Sequence, residues 1–238
     1  MNRTLVWSSA IWVFSLILGS VGIGLWLAWP DLTDAEIRQT QPQLADKVLL
    51  ERGEYLARAG NCVACHTVPG GTEYAGGRRI RTPFGNVFTS NLTPDSETGL
   101  GDWSAADFWR AMHFGKSKNG RLLNPVFPYP NYTRVTRTDS DAIYVYLQSL
   151  PPVTTTKKPN ELRFPYNTQT ALLAWRALFF EPGVFTPEPN RSKAWNRGAY
   201  LVEGLGHCNA CHTARGALGQ TLLEQNYEGG AIPAQRWN

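Results

Sequence analysis

The stretch Cys62-Val63-Ala64-Cys65-His66 decides how this chain is read, and it is written a second time as Cys208-Asn209-Ala210-Cys211-His212. Two cysteines separated by two residues bring both thiols to one porphyrin edge, where each can add to a vinyl group of the same haem, and the histidine directly after reaches the iron. For that the imidazole must be neutral, with Nε2 free and its other ring nitrogen expected on a backbone carbonyl. A lone C-x-x-C is shared with thioredoxin-like redox sites and with zinc knuckles. Here all four cysteines fall into two such pairs, each followed by His-Thr, and none is left over. A zinc site built from the four thiolates would strand two identically placed histidines, and a disulfide inside each pair is the plainer alternative for an exported chain. The reading adopted is two covalently bound haems c. Cys62, Cys65, Cys208 and Cys211 form the thioethers, and His66 and His212 are the proximal iron ligands.

The 238 residues leave room for one or two domains, and 42% hydrophobic with 18% charged residues describes a globular chain. A net charge of +4, with no basic cluster larger than Arg78-Arg79-Ile80-Arg81, speaks against a nucleic-acid partner. From Thr4 to Pro30 there is no charged residue. As a helix that segment would extend about 40 Å, enough to cross a bilayer. Arg3 precedes it, Asp31, Asp34 and Glu36 follow, and Trp7, Trp26 and Trp29 stand near its ends, where indoles prefer the interface. Residues 1–30 are therefore read as an uncleaved inner-membrane anchor with the remainder on the periplasmic side. A cleaved signal peptide, with small residues at Gly22-Ile23-Gly24, is the competing reading.

Residues 31–46 read as a polar spacer. Val48, Leu49, Arg52, Gly53, Tyr55, Leu56 and Ala59 then recur at helical spacing until Gly60, just before the first motif. The glycine and proline clusters between 69 and 85 read as loops. Asp102 or Ser104 can cap a helix that carries Phe108, Trp109 and Met112 and stops at Gly115. Thr138-Asp139-Ser140-Asp141 opens another, ending at Pro151-Pro152. Residues 47–152 thus make one complete unit. Residues 153–190 are a proline-rich connector, within which Thr170 to Phe180 is apolar on several sides. That segment reads either as ordinary core or as a helix lying across a seam between two units. A second unit begins at 191, where Arg197-Gly198-Ala199-Tyr200-Leu201 echoes Arg52-Gly53-Glu54-Tyr55-Leu56. Only 26 residues follow His212, so the second unit is expected to be incomplete, as in an N-terminal piece of a longer chain. The fold class expected is mainly α: tandem class I cytochrome c-like domains after a transmembrane helix.

The resemblance can be drawn more narrowly from Thr82-Pro83-Phe84-Gly85-Asn86, Thr89-Ser90-Asn91-Leu92-Thr93-Pro94-Asp95, Thr98-Gly99-Leu100-Gly101-Asp102-Trp103, Phe127-Pro128-Tyr129-Pro130 and Ser149-Leu150-Pro151-Pro152. From about residue 47 onward the chain resembles the three-haem cytochrome c subunits of membrane-bound periplasmic dehydrogenases acting on alcohols, gluconate, sorbitol, fructose, aldehydes and N-heterocycles. The resemblance implies electron transfer from a dehydrogenase catalytic subunit to ubiquinone or a terminal oxidase, with no catalysis by this chain. Such haems usually carry Met or His opposite the proximal ligand. The loop Leu122-Leu123-Asn124-Pro125-Val126-Phe127-Pro128-Tyr129 holds no sulfur, and Val135 stands where family members often have Met. Three outcomes stay open for the first iron: Met112 ligates, His113 ligates, or it is five-coordinate. An open iron keeps a dihaem peroxidase and a haem-based redox or gas sensor as rivals. Arg78 and Arg81 are either haem-propionate partners or parts of a solvated basic turn.

Overall fold

A computed structural model of the chain describes Gly19 and residues 41–230. The expected anchor apart from Gly19, and most of the spacer after it, lie outside the described residues. Among the described residues no helix is long and apolar enough to cross a membrane. Everything below concerns the unit Leu32–Asn238.

Helix α1, Lys47–Ala59, begins where the Asp46 carboxylate accepts hydrogen bonds from the Val48 and Leu49 amides, and it buries Gly53, Leu56 and Ala57. After it, α2 is the single turn Cys62–Cys65. Helix α3, Ala105–Phe114, is opened by a reciprocal Ser104–Asp107 capping box and closed by Gly115 at φ 58°. The left-handed backbone and a close approach both require glycine at 115, because a Cβ there would lie 2.5 Å from the Tyr129 ring. A short turn, α4, spans Tyr129–Tyr132, and α5 spans Arg137–Gln148. The cap of α5 is Thr136, two residues earlier than Thr138. Thr136 has the extended backbone of a cap and accepts from the Asp139 amide, whereas Thr138 is already inside the helix, and Asp141 pairs with Arg137 at 2.7 Å.

Helices α1 and α5 cross at Gly53, where a Cβ would sit 1.9 Å from the Ala142 carbonyl oxygen. Around this crossing Leu56, Val135, Ile143 and Leu147 are buried, together with Phe108, Met112 and Tyr132. Each such side chain contributes roughly 1.5–3 kcal/mol of apolar transfer on folding. The opposite side of α3 packs Ala106, Trp109 and Phe114 as a second cluster.

The region expected as loops holds a small antiparallel sheet. Strand β1, Arg79–Thr82, turns through Pro83-Phe84 into β2, Gly85–Phe88, and β2 is joined on its other edge by β3, Glu161–Leu162. Strands of four, four and two residues are too short to show alternation, and the third comes from the connector. That connector is also locked to the loop 91–98. Asn91 donates to the Val153 carbonyl at 2.7 Å, and Thr154 donates to Asp95 at 2.6 Å. Asp95 accepts two further bonds, from the Thr98 amide and hydroxyl, each 2.7 Å. These bonds hold the Asp95 carboxyl down at about 2.

Helix α6, Gln169–Phe179, is capped by Thr168. Its Arg176, fully buried, lies 5.0 Å from the Tyr129 ring centre and 4.7 Å from that of Phe180. On another side, Trp175 Nε1 donates to the Leu218 carbonyl at 2.9 Å. The helix therefore touches the α3–α4 loop region and the segment after the second motif. Helix α7, Lys193–Tyr200, runs on into the π-helical turn Leu201–Leu205, and α8 is Asn209–His212. Leu205 is fully buried in the same cluster as Leu56, so the second unit contributes to the core of the first.

Candidate haem attachment sites

In the first site Asn61, in the left-handed region at φ 50°, starts the turn that carries Cys62 and Cys65, and His66 follows as its cap. The His66 amide donates to the Cys62 carbonyl at 3.0 Å. Nδ1 of His66 lies 2.7 Å from the Ser90 carbonyl oxygen. A carbonyl can only accept, so Nδ1 carries the proton and Nε2 keeps its lone pair. Burial lowers the pKa of this imidazole, which favours the neutral form a metal needs. Three more bonds hold the turn. Gly76 N–H donates to the His66 carbonyl at 2.8 Å, Tyr74 N–H to the Thr67 hydroxyl at 3.1 Å, and Arg78 Nη1 to the Ala64 carbonyl at 2.6 Å.

The second site is built by the same bonds from differently spaced residues. His207, at φ 39°, takes the place of Asn61. The His212 amide donates to the Cys208 carbonyl at 3.0 Å, and Gly229 N–H donates to the His212 carbonyl at 2.8 Å. Tyr227 N–H reaches the Thr213 hydroxyl at 2.9 Å, and Arg215 Nη2 reaches the Ala210 carbonyl at 2.8 Å. Tyr74-Ala75-Gly76 and Tyr227-Glu228-Gly229 are thus one clip used twice, with both tyrosines at positive φ. Sequence reading missed the clip and missed Arg215, whose only signal was an arginine shortly after a haem motif. One bond is not repeated: among the described residues no carbonyl is bonded to the ring of His212, which is exposed.

The two sites adjoin. Asn131 Nδ2, buried, donates to the Glu203 carbonyl and to Oδ1 of Asn209, inside the second motif, both at 2.8 Å. The Tyr132 ring meets His207 edge-on at 5.6 Å. Burial pushes the Cys62 thiol up to about 12, with Cys65 adding to it. Cys65 presents an exposed surface, yet crowding also raises its thiol, with Arg78 opposing and Cys211 reinforcing. Thiols held protonated are poor nucleophiles, the reverse of a thioredoxin-like site. All four cysteines are free, and among the described residues no cluster of three or more His, Cys, Asp or Glu could hold a metal ion. What the residues fit is thioether attachment: paired thiols on one turn, with a neutral imidazole beside them.

Of the other candidates, Met112 is buried with Sδ 4.0 Å from the Ser140 hydroxyl on α5. His113 is buried, stacks on Trp109 at 4.4 Å, and places Nδ1 3.3 Å from the Thr133 hydroxyl. In the sulfur-free loop Phe127 packs 5.3 Å from Tyr132, and Val135, beyond α4, is fully buried. Arg81 is exposed on β1.

Residues 50–151 match the cytochrome c family. A dihaem c-type cytochrome of Cereibacter sphaeroides is 35% identical over 227 residues, covering 93% of this chain and 75% of that one. The chain belongs to the cytochrome c family. This cytochrome is also 43% identical over 225 residues to a nicotinate dehydrogenase subunit of Pseudomonas putida, covering 93% of the chain but 19% of that protein. It is 42% identical over 202 residues to the cytochrome c subunit of gluconate 2-dehydrogenase of Pantoea cypripedii, covering 81% of the chain and 46% of the relative. The cytochrome thus spans less than half the length of these last two. Membership carries covalently bound haem c with it, and Cys62, Cys65 and His66 lie within the matched span.

Proposed function

We propose that this chain is an electron-transfer cytochrome carrying two haems c. It passes electrons from the catalytic subunit of a periplasmic dehydrogenase toward ubiquinone or a terminal oxidase, and residues 1–30 hold it to the inner membrane. One observation carries the reading: the attachment turn and its Tyr-x-Gly clip are built twice, and the second copy packs against α4 of the first unit. Bound haem supplies a one-electron couple at each site. The chain's own residues supply the rest. His66 keeps its lone pair on Nε2 through Ser90, Arg78 and Arg215 hold the turn carbonyls, and the buried Asn131 and Tyr132 join the first unit to the second motif. The relatives named as dehydrogenase cytochrome subunits support a carrier over the peroxidase and sensor alternatives. Met112 and His113 each have a partner already, which supports reading neither as the sixth ligand. Arg78 serves the attachment turn, leaving Arg81 as the propionate candidate.

Intact-mass measurement of chain exported in a host that matures c-type cytochromes should give the polypeptide plus two haems. The double variants Cys62→Ser/Cys65→Ser and Cys208→Ser/Cys211→Ser should each lose one. The bare polypeptide mass would end this reading. Met112→Leu and His113→Gln should leave the haem absorption spectrum unchanged, and a spectral change in either would assign the sixth ligand to that residue.

A further inference from the structure

The echoed pentapeptides Arg52-Gly53-Glu54-Tyr55-Leu56 and Arg197-Gly198-Ala199-Tyr200-Leu201 meet at one side chain. Asp139, in the first turn of α5, is 2% exposed. Arg52 Nε donates to its Oδ1 at 2.7 Å, and Arg197 Nη1 lies 3.7 Å from its Oδ2. Tyr200 donates its hydroxyl proton to Oδ2 at 2.7 Å and accepts from the Thr136 amide at 3.1 Å. A buried carboxylate held by two cationic partners and a phenolic donor ties together the elements that carry them.

Its place in the chain gives that knot a mechanical meaning. Arg52 stands ten residues before Cys62, on the helix that leads directly into the first motif, and Arg197 stands eleven before Cys208, on the helix leading into the second. One carboxylate therefore pins both lead-in helices at nearly equal remove from their attachment turns. Further along the seam the contact continues through Asn131–Asn209, Tyr132–His207 and Leu205.

We infer that Asp139 is a positioning residue that fixes the separation and relative orientation of the two haem sites. The inference rests on the two-haem reading above. It differs from a merely structural role in what it predicts: loosening the knot changes the geometry between sites while each site stays intact.

The test is a pulsed-EPR distance measurement between the two oxidised irons, with Soret circular dichroism for their mutual orientation, on the full haem-loaded chain. Asp139→Asn keeps the shape and abolishes the charge. The double variant Arg197→Gln/Tyr200→Phe cuts only the second unit's side of the knot and leaves the Arg52–Asp139 pair inside the first, so it reports even where Asp139→Asn does not fold. Expected are two haems per chain, unchanged absorption, a broadened distance distribution and a weakened Soret couplet. Two haems with a distance distribution and couplet identical to the parent would overturn the latch alone. A parent chain carrying fewer than two haems would overturn the two-haem reading and the latch with it.

Discussion

The two copies of the Arg-Gly-x-Tyr-Leu sequence differ in which residues they bury, although both leucines pack against the same core. In the first, Gly53 and Leu56 are buried against α5 while Tyr55 is 54% exposed. In the second, Tyr200 is 5% exposed, and a Cβ on Gly198 would meet nothing within 4 Å. In the first copy the glycine packs a crossing helix, and in the second the arginine and tyrosine dock across the seam on Asp139. Both arginines use the same carboxylate, Arg52 from within its own unit and Arg197 from across the seam. A five-residue signature therefore does not fix its own environment. What packs against it decides which half is core.

The comparison breaks most sharply at the glycines. Gly53→Ala forces a methyl group to within 1.9 Å of the Ala142 backbone oxygen, a clash that no side-chain rotamer relieves. We expect a loss at the upper end of the roughly 1–3 kcal/mol typical of overpacking, or more. Gly198→Ala meets open space in a helix and should gain up to about 1 kcal/mol. Urea unfolding of the haem-loaded chain, followed by far-ultraviolet circular dichroism, checks both. Equal effects at the two positions would show that the faces are not distinguished as described.

The tyrosines come next. Tyr200→Phe removes a donor from the buried Asp139 carboxylate and should cost roughly 1.5–3 kcal/mol, the range for hydrogen bonds to charged groups. Burial, with Asp139 adding to it, pushes the Tyr200 hydroxyl up to about 12, so the proton it donates stays in place throughout the neutral range. Tyr55→Phe, on an exposed ring, should stay within about 0.5 kcal/mol of the parent. The same unfolding experiment reads the pair, and a cost at Tyr55 matching that at Tyr200 would remove the distinction between docked and free faces.

Much of the first unit was legible because its information is local. Helical spacing placed α1, α3 and α5, Ser104 is one of the two caps read for α3, and the haem motif placed α2. What escaped was held by contacts between residues distant in sequence. The sheet needs Glu161 and Leu162 from the connector to complete strands near residue 80. The cap of α5 is Thr136 rather than Thr138, its hydroxyl accepting from the Asp139 amide and its own amide donating to Tyr200 of the second unit. The second clip was hidden because its Tyr-x-Gly follows His212 at nearly twice the spacing seen after His66, so a search at fixed period passes over it. Asp139 looked like part of a helix start, and nothing near it in sequence announces two arginines and a tyrosine from other elements.

The finest distinction between the two sites concerns their histidines. Ser90, which holds His66, adjoins the loop 91–98 that Asp95 ties to the connector, whereas the His212 ring has no carbonyl partner among the described residues. The Asp95 carboxyl sits at about 2 when folded, below its ordinary 3.8, chiefly because Thr154 and Thr98 donate to it. A depressed folded value means that the carboxylate's contribution is present in full only above about pH 5 and is lost as the pH falls through the folded value of about 2. The stability difference between the parent and Asp95→Asn should accordingly be constant above about pH 5 and decrease steadily as the pH falls through 2 toward about 1. Over the same interval, His66 should lose its hold on Ser90 before His212 changes, which site-resolved NMR of the haem-loaded chain can follow. A stability difference that persists undiminished at pH 2, or a second site that responds first, would show that the Asp95 lock does not serve the first histidine.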